Sequence, residues 1–460
     1  MQHRRSKTLL AITMAGGLLL AACGSDEEEA ADTTAPSAAE TTAAADTTPV
    51  ETDAPVATEA PVATEDVPVS EAPVDSSDAP TGLAGVCPDT ISIQTDWNPE
   101  AEHGFLYQLI GDDYTIDKDK VSVTGPLVDG AGTDMGVQFE VRSGGPAIGF
   151  QTVTSQLYAD DSLLLGYVYT DEAIQNSATF PTIAIESGFD KNPQMIMWDP
   201  ATYPDVTSIA DLGTEGVTIR YFGGAAYMDY FTSTGILDAG QVDGSYDGTP
   251  ALFVADEGKS AQQGFGSAEP YLYENEVPDW LKPVAYQYIN DAGWNNYAES
   301  IATKPENITA YADCFTALVP MIQQASIDYL DDPADTNALI LDAVETFDNG
   351  WVYTQGTADY AVETIKGDGL VANGPDGVVG KFDLDRVNSL IEIATPIYNA
   401  QDSPPKDGLT LTTSSQTSSS TKQSGCSWLV RTAPPLRFGA GSRVHRTSGR
   451  ALGATNQKKS

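Results

Sequence analysis

From Cys87 onward, short apolar runs rich in β-branched and aromatic residues alternate with stretches of helical period, the pattern of an α/β fold. The runs Ile91–Thr95, Val137–Val141, Leu163–Tyr169, Met195–Trp198, Val217–Phe222 and Val284–Ile289 predict strands. Ala147–Tyr158, Ala225–Thr234 and Pro250–Glu257 predict helices between them. After Tyr297 the pattern becomes almost entirely helical. Asp313–Tyr329, Asp335–Phe347 and Asp359–Lys366 each begin near an Asp that can cap a first turn. Several strands end in a Gly-containing or acidic turn before a helix, and open α/β sheets bind ligands in the crevice at such strand ends. A cleft is therefore expected, not a barrel.

The pattern changes on both sides of this region. Arg4, Arg5 and Lys7 precede an apolar run, Leu9–Ala22, that is too short to span a ~30 Å bilayer as a helix and reads as a signal peptide over residues 1–23. The run ends in Leu20-Ala21-Ala22-Cys23-Gly24, which resembles the lipobox of bacterial lipoproteins. Cys23 is thus the expected lipidation site, and acyl chains would hold the exported protein on the outer face of the bacterial cytoplasmic membrane. Residues 24–85 carry 15 acids and no base, and repeat Ala-Pro-Val-Ala-Thr-Glu at 54–59 and 60–65. Such a segment buries too little apolar surface to fold, so a disordered acidic tether is expected, extended by its prolines and like charges.

Charge narrows the partners. The chain has a net charge of −43, and residues 86–405 hold 50 acids against 11 bases, a field that repels phosphates and makes nucleic acid a poor partner. Residues 406–460 invert the balance, with 9 bases and 1 acid. A disordered basic tail over 405–460 is expected there, with no function placed on it.

Chemical motifs are scarce. His3, His103 and His445 are the only histidines, and there is no Gly-x-Ser-x-Gly elbow to support a Ser-His-Asp site. A His-rich zinc site is ruled out, and Cys87 and Cys314 are too few for a thiolate cluster, so no metal is expected. No cofactor is expected either. Gly258-Lys259-Ser260 has Phe253 where a phosphate loop needs Gly, and Asp243–Gly248 hints at a calcium loop but meets Val254 at the place of the bidentate Glu. In an exported fold, the two thiols Cys87 and Cys314 are expected to form a disulfide.

What remains is a set of aromatic and acidic residues on turns. Directly after the first strand comes Asp96-Trp97-Asn98-Pro99-Glu100-Ala101-Glu102-His103-Gly104-Phe105-Leu106-Tyr107. Trp97, Pro99, His103 and Tyr107 keep the spacing of the Trp-x-Pro-x-x-x-His-x-Gly-x-Tyr signature, with Gly104 one residue early. In this the chain resembles the thiamine-pyrimidine (NMT1/THI5-like) group of type II periplasmic binding proteins, the substrate-binding lipoproteins of ABC transporters. Ser208–Leu212, Val217–Gly224 and Gly264–Tyr271, with its Glu269-Pro270 pair, extend the resemblance over roughly residues 88–400.

The resemblance implies two α/β lobes that close on a small molecule and deliver it to ABC permease subunits. One lobe would comprise 86–190 and 283–404, the other 191–282, and the helical C-terminal part would return to the first. The implied ligand-binding set is Trp97, Glu102, His103, Tyr107, Gly145, Asp171, Trp198, Gly223, Gly224, Tyr227 and Glu269. A monomer without enzymatic activity is implied. Bases are few near the strand ends, so a neutral or cationic nitrogen heterocycle, thiamine-pyrimidine-like or flavin-like, fits better than an inorganic anion. A sulfonate or nitrate binder, a tethered surface protein and a pyrimidine-synthesising enzyme of the same fold stay open as alternatives.

Overall fold

The computed structural model describes residues 82–374, 377–412 and 427–429. The signal segment and Cys23, with most of the tether and the basic tail, lie outside the described residues. Among those described, no helix is long and apolar enough to cross a membrane.

Two sheets organise the chain. The first contains β1 (Thr90–Gln94), β2 (Thr115–Asp117), β3 (Ser122–Val128), β4 (Asp134–Arg142), β5 (Leu165–Val168) and β6 (Ile183–Glu186). The chain then enters the second sheet as β7 (Gln194–Trp198), followed by β8 (Ile219–Arg220), β9 (Val242–Asp243), β10 (Ala261–Phe265) and β11 (Ala285–Tyr288), and returns to the first as β12 (Ser300–Thr303).

The strand orders are β2-β3-β4-β1-β5-β12-β6 and β11-β7-β10-β8-β9. Within them β4-β1-β5-β12-β6 and β9-β8-β10-β7-β11 are the same motif. Three parallel strands are followed by an antiparallel strand that has just crossed from the other sheet, and an edge strand antiparallel to that one. This doubled, strand-exchanging order is that of a two-lobed type II periplasmic-binding-protein fold. It sets the carboxyl ends of β1, β8 and β10 and the amino ends of β7 and β12 along one crevice.

Ile91, Ile93, Val123, Phe139 and Val141 of β1, β3 and β4 share one buried core with Phe315, Leu318, Val319 and Ile322 from one stripe of the helix Ala312–Asp331. The Cys87–Cys314 disulfide, with a Cα–Cα distance of 4.9 Å, ties the residue ahead of β1 to that helix. Gly104 marks another close approach. A Cβ there would lie 2.1 Å from Cζ of the buried Tyr329, whose hydroxyl donates to Asn337 Oδ1 at 2.9 Å. Gly104→Ala is expected to lower stability by about 1–3 kcal/mol through overpacking. Equal urea midpoints for the two proteins would show that the ring swings aside freely.

Several elements differ from their sequence reading. β12 falls in the stretch after Tyr297 whose pattern reads as almost entirely helical, because a four-residue strand buried on both faces shows no alternation. β11 lies in the second sheet, so the second crossing spans 289–299 and follows that strand instead of preceding it. Ala147–Tyr158 is not one helix. It splits into a 3-10 turn, Gly145–Ile148, and the helix Val153–Ala159, because Gly149 and Phe150 both take positive φ.

The C-terminal helices do not use the expected Asp caps. Asp313 and Asp335 lie inside first turns, where the helix dipole favours a carboxylate without a capping bond, and Thr354 caps the third helix by accepting from Thr357 N. The helix Leu384–Ala400 was expected to return to the first lobe, but it packs on both. Leu390, Ala394, Ile397 and Tyr398 join the core of the second sheet with Ile196, Trp198 and Phe231, while Tyr398 Oη donates to Asp171 O of the first lobe. Within the segment read as a tail, Thr410–Thr412 pairs in parallel with Ser427–Leu429, short β-prone runs that a reading by charge passes over.

Candidate functional site

The loop after β1 is locked before it reaches the crevice. Gly144 N donates to Trp97 O and Gly145 N to Asp96 O, both at 2.8 Å, and Thr95 Oγ1 donates to Trp97 O at 3.0 Å. The turn after β4 therefore fixes this loop, and it needs glycine. Gly145 has φ +53°, and a Cβ on it would lie 2.6 Å from the Trp97 ring.

Trp97 stands among aromatic neighbours. Its ring meets those of Phe222 at 6.3 Å and Trp351 at 6.2 Å edge-on, and that of the exposed Phe150 at 5.9 Å; Phe222 packs in turn on Tyr246 at 4.9 Å. Trp351 is held by its own indole N–H, which donates to Pro99 O at 3.1 Å.

These rings border a cavity of about 230 Å³ between the two sheets. Asp96, Glu100, Glu102 and Glu299 line it from the first lobe, and Gln194, Gln263, Phe265 and Glu269 from the second. Among the described residues, its lining holds five carboxylates and neither lysine nor arginine.

The carboxylates are held at a cost. Ser267 Oγ donates to Glu102 Oε1, while Glu102 Oε2 and Glu299 Oε2 have no hydrogen-bond partner among the described residues. Burial raises the Glu102 carboxyl, and the Ser267 bond only partly offsets it. Glu100 and Glu299 are pushed well above the ordinary carboxylate range, first by burial and then by the charges of Asp96 and Glu102. Burial lifts Glu269 to about 7, although Phe265 N donates to its Oε2 at 2.6 Å. Glu299 also sits at φ +51° immediately before β12. Such a site attracts cations and donors.

Gln263 adds an oriented donor. Its Oε1 accepts from Phe222 N at 3.0 Å and from Tyr227 Oη at 2.6 Å, so the hydrogens of its amide nitrogen are what it has left to offer.

Of the residues expected to bind ligand, Trp97, Glu102 and Glu269 lie on this wall, and Gly145 supports Trp97 from behind. Tyr227 stands one layer back, acting through Gln263. His103 is enclosed, its Nε2 3.1 Å from Asp96 Oδ1. Tyr107 and Trp198 are buried in the cores of the first and second sheets. Asp171 braces the second crossing, accepting from Trp294 Nε1 at 3.1 Å and Asn296 Nδ2 at 2.8 Å. Gly223 and Gly224 are exposed at the turn before the helix Ala226–Ser233, where a Cβ on Gly223 would lie 3.0 Å from Gly244 O.

Asp96, Glu100, Gln263, Glu299 and Trp351 were not picked out from the sequence. Asp96 and Glu100 lie inside the loop that was, and their place within it carried the signal.

Neither a protein-family model nor a curated protein matches this sequence. Among solved structures, the periplasmic aliphatic sulphonate binding protein SsuA from Escherichia coli is similar with a TM-score of 0.45 at 12% identity, covering 73% of this chain and 98% of that one. An ABC transporter structure from Parabacteroides distasonis has a TM-score of 0.41 at 10% identity, covering 70% and 98%. The ligand-binding component of an ABC-type import system from Staphylococcus aureus, with zinc bound, has a TM-score of 0.40 at 11% identity, covering 69% and 94%.

Proposed function

We propose that this chain is an extracytoplasmic solute-binding protein that captures a small, cationic or protonatable nitrogen compound and hands it to an ABC importer. The observation that carries this reading is the cavity between the lobes, lined by five carboxylates and an aromatic cluster with no lysine or arginine. Ring faces attract cations, and carboxylates accept from ring or exocyclic N–H groups. A volume of about 230 Å³ lies below the ~300–1,000 Å³ usual for drug-sized ligands, which favours a single ring, as in a thiamine-type pyrimidine, over a tricyclic flavin. Because the walls come from both sheets, a ligand that touches both favours the closed arrangement.

The cavity wall sets five carboxylates and no lysine or arginine against the sulfonate or nitrate alternative. Arg142 and Lys304 instead line a separate groove on the first lobe, where Arg142 pairs with Glu140 and Asp160 and Lys304 with Asp161. Export and anchoring through Cys23 complete the reading, supported by the basic, apolar, small-residue order of residues 1–24.

A thermal-shift screen of the full chain at pH 8 tests this function. Small amines and one-ring nitrogen heterocycles should raise the melting temperature, and sulfonates and nitrate should not; the reverse ranking would refute the cationic reading. Trp97→Ala should weaken the best hit by about 1–3 kcal/mol, roughly ten- to a hundredfold in affinity, by calorimetry. Unchanged affinity would put the ligand elsewhere. Cys23→Ser should shift the protein out of the membrane fraction, and full retention would remove the lipid anchor from the proposal.

A further inference from the structure

One corner of the cavity has a second chemistry. Asp96, His103 and Glu299 come from the loop after β1, the turn Ala101–His103 and the residue before β12, and each brings one ligand atom to within 4.8 Å of the others. His103 is 0% exposed with Nε2 3.1 Å from Asp96 Oδ1, and Glu299 is 2% exposed, on the cavity wall, with Oε2 unpartnered. A buried polar atom without a partner in a folded protein calls for a water or an ion. Two carboxylates and an imidazole, enclosed with no lysine or arginine on the lining, favour the ion.

The geometry points to a divalent transition-metal site formed by Asp96, His103 and Glu299 and facing the solute cavity. One nitrogen and two oxygen donors suit Zn²⁺ or its first-row neighbours, whereas Ca²⁺ takes six to eight oxygens and Mg²⁺ avoids imidazole. Donors of a tetrahedral zinc stand about 3.4 Å apart for bonds near 2.1 Å. The Asp96–His103 pair, at 3.1 Å, is already near that spacing, and the Glu299 oxygen lies within 4.8 Å of both. Three protein donors leave a fourth position for water or for a donor atom of the solute. The sequence points to no metal because it holds no cluster of His or Cys, and Glu299 reaches Asp96 and His103 only through the strand exchange.

The test uses the full chain, stripped with a chelator and dialysed, without organic solute. Calorimetric titration with Zn²⁺ should give one site of micromolar or tighter affinity, and Co²⁺ should give visible absorption bands that Zn²⁺ abolishes. Glu299→Gln should weaken Zn²⁺ at least tenfold and lose the Co²⁺ bands, while Asp161→Asn, an exposed carboxylate in the separate groove of the first lobe, should leave Zn²⁺ affinity within about threefold. His3, His445, Cys23 and Cys426 offer other donors, so Zn²⁺ binding that survives both Glu299→Gln and Asp96→Asn overturns the site, as does no binding at all. A normal melting temperature of each stripped variant shows that it folds. If only one variant folds, its affinity decides.

Discussion

Replacing Cys87 and Cys314 by serine is expected to lower the unfolding free energy by about 5 kcal/mol. The bond closes a loop with a sequence separation of 227, and cross-linking so long a segment removes a large share of the unfolded chain's freedom in the chain-entropy model. Cys314 is wholly enclosed and Cys87 nearly so, in the core beneath the first sheet, so serine also buries hydroxyl groups there. Urea melts of oxidised wild type and the double variant measure the difference. A gap below about 1 kcal/mol would show that the packing of the helix Ala312–Asp331 holds this junction unaided.

The second large effect concerns pH. Burial raises Glu269 to about 7, so between its ordinary carboxylate range and pH 7 the folded ligand-free protein keeps a proton that the unfolded chain has released. Fewer protons on the unfolded state make the slope of stability with pH negative. The share of stability that Glu269 contributes should therefore be fully present below about pH 4.5 and be lost, up to about 3 kcal/mol, as pH rises past 7, the equivalent of a shift of two to three pKa units. Glu269→Gln should remove that share and raise the melting temperature most at pH 8.

A cationic solute reverses the trend, because it binds the ionised carboxylate. Its affinity should rise through pH 7, and binding at pH 6 should release protons, read as a buffer-dependent enthalpy in calorimetry. A pH-independent affinity would mean that Glu269 does not meet a charge.

Local pattern revealed the parts of the site that are local. Trp97 and Glu102 stood out because they crowd one loop after a clear strand, whereas Glu269 came only with the resemblance carried by its Glu-Pro pair, which the structure places at the start of a helix. The disulfide was legible from the scarcity of thiols. Glu299 was not, since it precedes a four-residue strand without alternation, and only the crossing from the second sheet turns it toward Asp96 and His103. Gln263 sat in the polar-looking run Ala261–Phe265, which is nonetheless a central strand whose glutamines are buried. Trp351 lies between two helices with no periodic signal. Its place is set by contacts to Pro99 and Tyr353, some 250 and two residues away in sequence. Tyr227 and His103 have the right chemistry at the right strand ends, yet each stands behind the residue that reaches the cavity.

The most direct measurement is mass spectrometry of small molecules released by acid from the purified full chain, with Trp97→Ala purified in parallel. A one-ring nitrogen compound that is cationic or protonatable should be released from wild type and be depleted in the variant. A sulfonate or other anion, or an equal yield of the nitrogen compound from both proteins, would contradict a cation-binding cavity at Trp97.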